Sequence, residues 1–102
     1  MGKFSRSKGA RFERFLVNKF QETGFAAEKV SRSGYDGHDL CLPLLGIDRR
    51  VEVKSRAHGF AQLYDWLDNS DLLIIKRDRG TPLVVVPLDL AIEVARKAEK
   101  NR

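Results

Sequence analysis

Two residues of opposite charge stand two positions apart in the segment Val51-Glu52-Val53-Lys54. Side chains alternate across a β-strand, so Glu52 and Lys54 are predicted to project from one face and the two valines from the other. This arrangement is typical of the solvated face of an amphipathic strand with an ion pair, and also of a catalytic acid beside a lysine. The tetrapeptide alone favours the solvated face, because such alternation is common.

Asp39 places a second carboxylate in the preceding strand of the same predicted hairpin. It is followed by the apolar run Leu40-Cys41-Leu42, so we expect it at the end of a sheet rather than in open solvent. Mg²⁺ prefers oxygen ligands, usually one or two carboxylates with a carbonyl, waters and a substrate phosphate. The predicted metal ligands are Asp39, Glu52 and the carbonyl of Val53, with Lys54 placed to hold or polarise an attacking water.

Glu13 is a third acidic residue at an unusual position. On a helical wheel at about 100° per residue it falls inside an apolar arc, between Phe20 and Val17. An ionised carboxylate facing a core is costly unless it is paired or coordinated. We therefore expect Glu13 to meet a metal ion or a base of the loop at 31–37, unless the helix is rotated to expose that edge.

Hydrophobic periodicity and turn residues predict eight elements that position these side chains. Their order is α-β-β-β-α-β-β-α, which predicts an α/β fold with a mixed β-sheet flanked by helices. The predicted elements are a helix from Ser7 to Thr23 capped by Gly24, a strand from Phe25 to Val30, a hairpin of Asp39 to Leu45 and Arg50 to Ser55 around Gly46-Ile47-Asp48, a helix along Phe60 to Leu67, a hairpin of Asp71 to Lys76 and Leu83 to Val86, and a helix from Leu88.

Composition limits the class of protein. A chain of 102 residues has room for one domain, predicted over residues 1–102 with a basic arm at 1–6 and a frayed tail at 100–102. Lys and Arg number 19 against 14 acids, a net charge of +5 that favours a polyanionic partner such as nucleic acid. A single cysteine, Cys41, excludes an intrachain disulfide and a zinc site of several thiolates. No apolar run approaches a membrane span, so a cytoplasmic protein is expected.

Several of these positions together resemble a known family. The chain is similar to the PD-(D/E)XK nuclease superfamily and, within it, to the archaeal-type Holliday junction resolvases, which also occur in viruses. The separations 39 − 13 = 26 and 52 − 39 = 13 suit that pattern. The matching segments are Ser7-Lys8-Gly9-Ala10-Arg11-Phe12-Glu13-Arg14-Phe15-Leu16-Val17, Gly24-Phe25, Ser31-Arg32-Ser33-Gly34, Asp39-Leu40 and Glu52-Val53-Lys54.

The resemblance implies a restriction-endonuclease-like core and a Mg²⁺-dependent endodeoxyribonuclease, in which Mn²⁺ substitutes and no small-molecule cofactor is needed. It implies a symmetric homodimer that nicks both sides of a four-way DNA junction. Carried over, Glu13, Asp39 and Glu52 are metal-site carboxylates and Lys54 is the catalytic lysine.

Further residues are expected near the DNA. The resemblance implies contacts from Lys8, Arg11 and Arg32, and from either Ser31 or Ser33 at the scissile phosphate. Arg56 belongs to the basic residues around the predicted hairpin, whose charge suits phosphate neutralisation. His38 stands where the superfamily name has proline, and is interpreted as a loop residue or as an added ligand or proton carrier.

Three alternatives stay open. One is a nuclease of the same fold with a preference for nicked, flapped or plain duplex DNA. Another is a non-catalytic nucleic-acid-binding module, which has no need for three acids facing a polyanion. The third is a structural or interaction protein, which would lose no DNA affinity on substitution of its arginines.

Overall fold

In the computed structural model, the backbone is described at residues 2–30 and 39–102, and side chains from residue 8 onward within those ranges. Residues 2–6 belong to the first helix, although the sequence predicted an arm there. The elements are α1 (Gly2–Glu22), β1 (Glu28–Lys29), β2 (Leu40–Leu44), β3 (Ile47–Val51), α2 (Ala61–Leu67), β4 (Leu73–Ile75), β5 (Leu83–Val85) and α3 (Leu88–Lys100).

These elements fall into two compact units. The first comprises residues 1–55 and 95–102, and the second comprises residues 56–94. The first unit contains α1, the sheet β1–β2–β3 and the end of α3, and the second contains α2, the hairpin β4–β5 and the start of α3. All three acidic residues of the predicted site lie in the first unit.

The helix α1 ends in a C-terminal cap at Gly24, as the sequence predicted. Gly24 has φ +101°, a conformation open to glycine but strained for other residues. The Gly24 amide donates to the Gln21 carbonyl at 3.1 Å, and the Phe25 amide donates to the Phe20 carbonyl at 2.9 Å. These are the two bonds of a Schellman motif, and the Phe20 and Phe25 rings meet edge to face at 6.4 Å. The cap turns the chain back along α1 into β1.

The strands β2 and β3 form a hairpin with a two-residue loop. Leu44 pairs with Ile47, so the turn is Leu45-Gly46 rather than the predicted Gly46-Ile47-Asp48. Both loop residues have positive φ, 54° and 80°, as a type I′ turn requires. Because the turn comes earlier than predicted, β3 also begins earlier and ends at Val51, before Glu52.

The mixed α/β class is confirmed, but the prediction of one mixed sheet is wrong for the described residues. Their strands form two antiparallel sheets, one of three strands and one of two. Each described pairing joins strands that are consecutive in the chain. Hairpin neighbours need only a short loop, and the alternation pattern that predicts a strand carries no information about its lateral partner.

Residues near the C-terminus contact the β2–β3 turn. The Leu45 amide donates to Glu99 Oε2 at 2.5 Å, which ties the hairpin turn to α3. Arg102 Nη1 lies 3.0 Å from Glu99 Oε1, and the Arg102 guanidinium also lies over Gly46. These contacts hold the last residue against the β2–β3 turn.

The buried core is small and lies mainly in the first unit. Leu40 is fully buried, at 0% exposure, in the central strand of the three-stranded sheet. Within the described part of the chain, no helix combines the length and apolarity needed to cross a membrane. The buried apolar residues are Leu16, Phe20, Phe25, Ala27, Leu40 and Ile92.

Candidate active site

Asp39 lies at the junction of the three strands of the first sheet. Its carbonyl accepts the Val30 amide at 3.0 Å, and its own amide donates to the Val51 carbonyl at 2.9 Å. Its carboxylate Oδ2 accepts the Val53 amide at 2.7 Å, a short bond of the charge-assisted kind. Asp39 therefore bonds the residues on both sides of Glu52, and its half-buried carboxylate is fixed beside the Glu52-Val53-Lys54 segment.

Glu52 and Lys54 project together, as predicted. Lys54 Nζ lies 2.9 Å from Glu52 Oε2, with the two side chains 52% and 48% exposed. The intervening Val53 is less exposed than either neighbour, so the alternation continues past the last residue of β3. An ion pair this exposed contributes little to stability, and both groups are free to reach a ligand from solvent.

The amide of Val53 has a role that the sequence did not predict. The sequence assigned its carbonyl to a metal, and the structure shows its amide donating to Asp39. This bond orients the Asp39 carboxylate. The metal role of the Val53 carbonyl stays a prediction.

Glu13 lies on the buried face of α1, together with Leu16 and Phe20. Its side chain is 18% exposed, and its Oε1 lies 3.6 Å from Lys29 Nζ on β1. Lys29 is itself 58% exposed, so its stem crosses the surface toward the half-buried acid. The cation next to Glu13 is thus a lysine of β1 rather than a base of the loop at 31–37, which lies outside the described residues, and the metal role of Glu13 stays a prediction.

Lys29 could have been found from chain geometry. Eleven helical residues from Gly24 back to Glu13 span about 16 Å at roughly 1.5 Å each. Five extended residues from Gly24 to Lys29 span about 16 Å at roughly 3.3 Å each. A strand that returns along the helix therefore brings residue 29 level with residue 13.

The predicted DNA-contacting residues are placed only in part. Lys8 and Arg11 lie on α1, where Arg11 is exposed. At about 100° per residue they stand roughly 140° and 160° around the helix from Glu13, nearly opposite to it. Arg56 is exposed in the second unit. Ser31, Arg32, Ser33 and His38 lie outside the described residues.

The three acids are not gathered into one cluster. Among residues 2–30 and 39–102, no group of three or more His, Cys, Asp or Glu side chains is arranged to hold a metal ion. Each acid instead has its own partner, Val53 for Asp39, Lys54 for Glu52 and Lys29 for Glu13. What the backbone brings together is Asp39 with the Glu52-Val53-Lys54 segment.

Cys41 follows Asp39 by two residues in the sequence, and its thiol is unreactive. Partial burial raises the pKa of its thiol, and the negative charges of Asp48 and Glu28 raise it further. A thiol with a raised pKa is protonated at neutral pH and is a poor nucleophile and metal ligand.

Comparison with known proteins adds no relatives. No protein-family model matches the chain, and neither a curated protein nor a solved structure matches it.

Proposed function

We propose that the chain is a metal-dependent DNA endonuclease that hydrolyses phosphodiester bonds in branched DNA, acting as a homodimeric Holliday junction resolvase. The observation that carries the proposal is the pair of bonds from Asp39 to Val51 and Val53. They fix one carboxylate beside a segment that presents a second carboxylate and an ammonium group. The choice of a four-way junction and the dimer rest on the family resemblance.

The donor set suits Mg²⁺. Magnesium is commonly bound by one or two carboxylates, with waters and substrate phosphate completing six oxygen ligands. Asp39 and Glu52 supply two carboxylates near the end of β3, so they are the residues that would hold the ion. Such an ion polarises a phosphate oxygen and lowers the pKa of a bound water.

The chain's own residues then have separate tasks. The Val53 amide keeps the Asp39 carboxylate in one orientation, which a coordinating oxygen needs. The Lys54 ammonium, held at 2.9 Å by Glu52, is positioned to orient a water or to stabilise negative charge that develops on the phosphate. Glu13 is the third acid of the proposed set. To bind the metal ion, its carboxylate would have to leave its ion pair with Lys29.

DNA affinity is assigned to basic residues of the chain. The net charge of +5 favours phosphate contacts, with a strong dependence on salt. Lys8, Arg11 and Arg56 are the proposed contacts within the described residues, and Arg32 with Ser31 or Ser33 completes the proposed set.

A second candidate is a DNA-binding module without catalysis. It is favoured by the partners of two of the three acids, because Glu13 and Glu52 are each paired with a lysine. The net charge of +5 favours phosphate binding without any catalytic use of these acids.

Cleavage with Mg²⁺ separates the two candidates. The substrates are an immobile four-way junction, a linear duplex and a single strand of the same sequence, with EDTA as the control. Symmetric nicks at the junction support the resolvase, and cutting of all three substrates supports a general nuclease. Salt-dependent binding without cleavage in Mg²⁺ or Mn²⁺ supports the binding module and contradicts the proposal.

Asp39→Asn is the decisive variant. It keeps an oxygen that accepts the Val53 amide but removes the charge, so we expect cleavage to fall about 100-fold or more while junction binding is retained. Asp48→Asn is the matched control, because Asp48 is exposed in the same hairpin and outside the proposed site. Equal cleavage by both variants would remove Asp39 from the metal site.

A further inference from the structure

The second unit has an open cleft where α2 meets the loop end of the β4–β5 hairpin. Its volume is about 660 Å³, within the range of roughly 300–1,000 Å³ that is usual for ligand pockets. The cleft combines an aromatic ring with two cations, a hydroxyl group and apolar side chains. Its lining residues are Trp66, Ile75, Lys76, Arg77, Thr81 and Leu83.

Trp66 gives the cleft its aromatic surface. The side chain lies on α2 and is 56% exposed, although tryptophan is highly buried on average. Ile75 and Leu83 are directly opposite each other in the hairpin, so they share a face and add apolar surface beside the ring. An exposed indole in such a setting is suited to stacking against another aromatic ring.

The cations of the second unit are concentrated at this cleft. The unit has four Lys and Arg residues, and three of them stand at positions 76, 77 and 79. With Asp78 between them, this segment has a charge of 3 − 1 = +2. The rest of the unit is acidic, so the local positive charge does not reflect a basic unit. The acidic residues of the unit are Asp65, Asp68, Asp71, Asp78, Asp89 and Glu93.

The hairpin loop places these cations without an acidic partner. Within residues 2–30 and 39–102, none of Lys76, Arg77 and Arg79 forms an ion pair. The Gly80 amide and Lys76 Nζ both donate to the Arg77 carbonyl, at 3.0 and 3.2 Å. A Cβ added at Gly80 would lie 2.5 Å from Arg77 Cγ, so glycine leaves the room that this Arg77 side chain occupies. The charges are therefore held at the cleft and are available to an anion.

A second cleft of the same unit provides a comparison. It has a volume of about 680 Å³, and Tyr64 of α2 is its exposed aromatic residue. Among its described lining residues the one charged side chain is Asp68, an acid. The two clefts match in size and in having an aromatic residue, and only the Trp66 cleft has cations. An aromatic ligand with a negative charge is therefore favoured at the Trp66 cleft alone.

We propose that the Trp66 cleft binds an unpaired nucleotide of single-stranded DNA, with the base stacked on the indole and the phosphate held by Lys76 and Arg77. Sites for single strands combine cations along the backbone with aromatic rings on which bases stack. The Thr81 hydroxyl is a further hydrogen-bonding partner for the phosphate or the sugar. The choice of DNA rests on the proposed function, whereas the aromatic and cationic chemistry of the cleft does not.

Trp66 is the one tryptophan of the chain, so tryptophan fluorescence reports on this cleft. The full chain is titrated in EDTA with oligothymidylate and with an abasic strand of equal length. Oligothymidylate should quench the fluorescence and bind about tenfold more tightly than the abasic strand, because only its bases can stack. Equal affinity without quenching would overturn the stacking. Equal quenching by duplex DNA, or by thymidine monophosphate at the same nucleotide concentration, would overturn the unpaired strand as the ligand.

Matched variants test the residues, with anisotropy of a labelled oligothymidylate as the measurement. Trp66→Leu should weaken binding about tenfold, and Tyr64→Leu, on the same helix but in the other cleft, by less than about twofold. Equal weakening by the two variants would overturn the assignment of the base to Trp66. Circular dichroism shows whether each variant is folded.

The salt dependence of binding tests the phosphate contact. Arg77→Gln should reduce the slope of log affinity against log salt concentration by about 0.7, the value for one phosphate contact to a single strand. Arg96→Gln removes a cation that is exposed on α3 and outside the cleft, and should leave the slope unchanged. The same slope in both variants would overturn the contact from Arg77.

The cleft and the proposed nuclease site are tested separately. All binding measurements contain EDTA, so they do not depend on metal or cleavage. A chain that shows quenching but never cuts a junction contradicts only the proposed function. A chain that cuts junctions without quenching by oligothymidylate contradicts only the Trp66 cleft.

Discussion

The two units of this chain bury their apolar side chains very differently. Five of the six buried residues, Leu16, Phe20, Phe25, Ala27 and Leu40, lie in the first unit, and Ile92 alone lies in the second. Of the ten large hydrophobic residues that are exposed in the described chain, seven lie in the second unit. They are Tyr64, Trp66, Leu72, Ile74, Leu83, Val84 and Val94.

Size explains part of this contrast. The second unit has 94 − 56 + 1 = 39 residues, near the lower limit at which a single core can stabilise a fold. It has short elements, with seven residues in α2 and three in each strand. The first unit has a 21-residue helix with a complete cap and a three-stranded sheet. Stability and the proposed chemistry are therefore expected from the first unit.

The largest expected effect compares one strand residue from each unit. Leu40→Ala removes a fully buried side chain from the central strand β2 and should lower the free energy of unfolding by about 2–5 kcal/mol. Val84→Ala, in β5 at 61% exposure, should change it by no more than about 0.5 kcal/mol. Urea unfolding at one protein concentration measures both. Similar losses of unfolding free energy in the two variants would show that packing in the second unit contributes as much to stability as packing in the first.

The next effect concerns the acid on the buried face of α1. Glu13→Gln removes a charge required by the proposed metal site and should reduce junction cleavage about 100-fold. Glu22→Gln, at the exposed end of the same helix, is the matched control and should cut normally. If Glu13→Gln also cuts normally, Glu13 serves only in its ion pair with Lys29. Lys29→Met should then lower the free energy of unfolding by about as much as Glu13→Gln does.

The fold was predictable where local rules decide it. Helical periodicity with Gly24 predicted the C-terminal end of α1, and aliphatic runs separated by turn residues predicted the β4–β5 hairpin. Alternation also predicted that Glu52 and Lys54 share a face. These features depend on neighbours within a few residues, which a sequence displays directly.

Features that depend on packing were not predictable in the same way. Tyr64 lies on the apolar stripe of α2 and yet is 74% exposed, because a stripe shows which face is apolar and not what covers it. Phe15 likewise follows the helical spacing of the apolar residues in α1, and it is 53% exposed. The bond from Val53 to Asp39 joins residues fourteen apart, and it follows from where β3 ends rather than from either residue type.

A smaller effect tests the same backbone conformation in both units. Gly24 and Gly59 share φ +101°, and an added Cβ meets nothing within 4 Å at either position, so alanine introduces only torsional strain. Gly24→Ala should cost about 1–2 kcal/mol, because the two Schellman bonds prevent the turn from relaxing. Gly59→Ala should cost less, since its exposed loop precedes a short helix and can shift. Thermal unfolding compares the variants, and a larger loss at Gly59 would reverse the assignment of stability to the first unit.

The smallest effect is a pH dependence at the C-terminus of the first unit. The Leu45 amide bonds to the Glu99 carboxylate and, with Arg102, holds the pKa of Glu99 below its ordinary value. A carboxyl group with a lowered pKa in the folded state stabilises the fold above its unfolded pKa, and this contribution is lost as pH falls through the folded pKa. Glu99→Gln should therefore lower the melting temperature slightly at pH 7 and match the wild type at low pH. Glu93→Gln, exposed on the same helix, should leave the difference between the two pH values unchanged. A Glu99→Gln deficit that persists undiminished below the folded pKa would mean that shape, rather than charge, ties α3 to the β2–β3 turn.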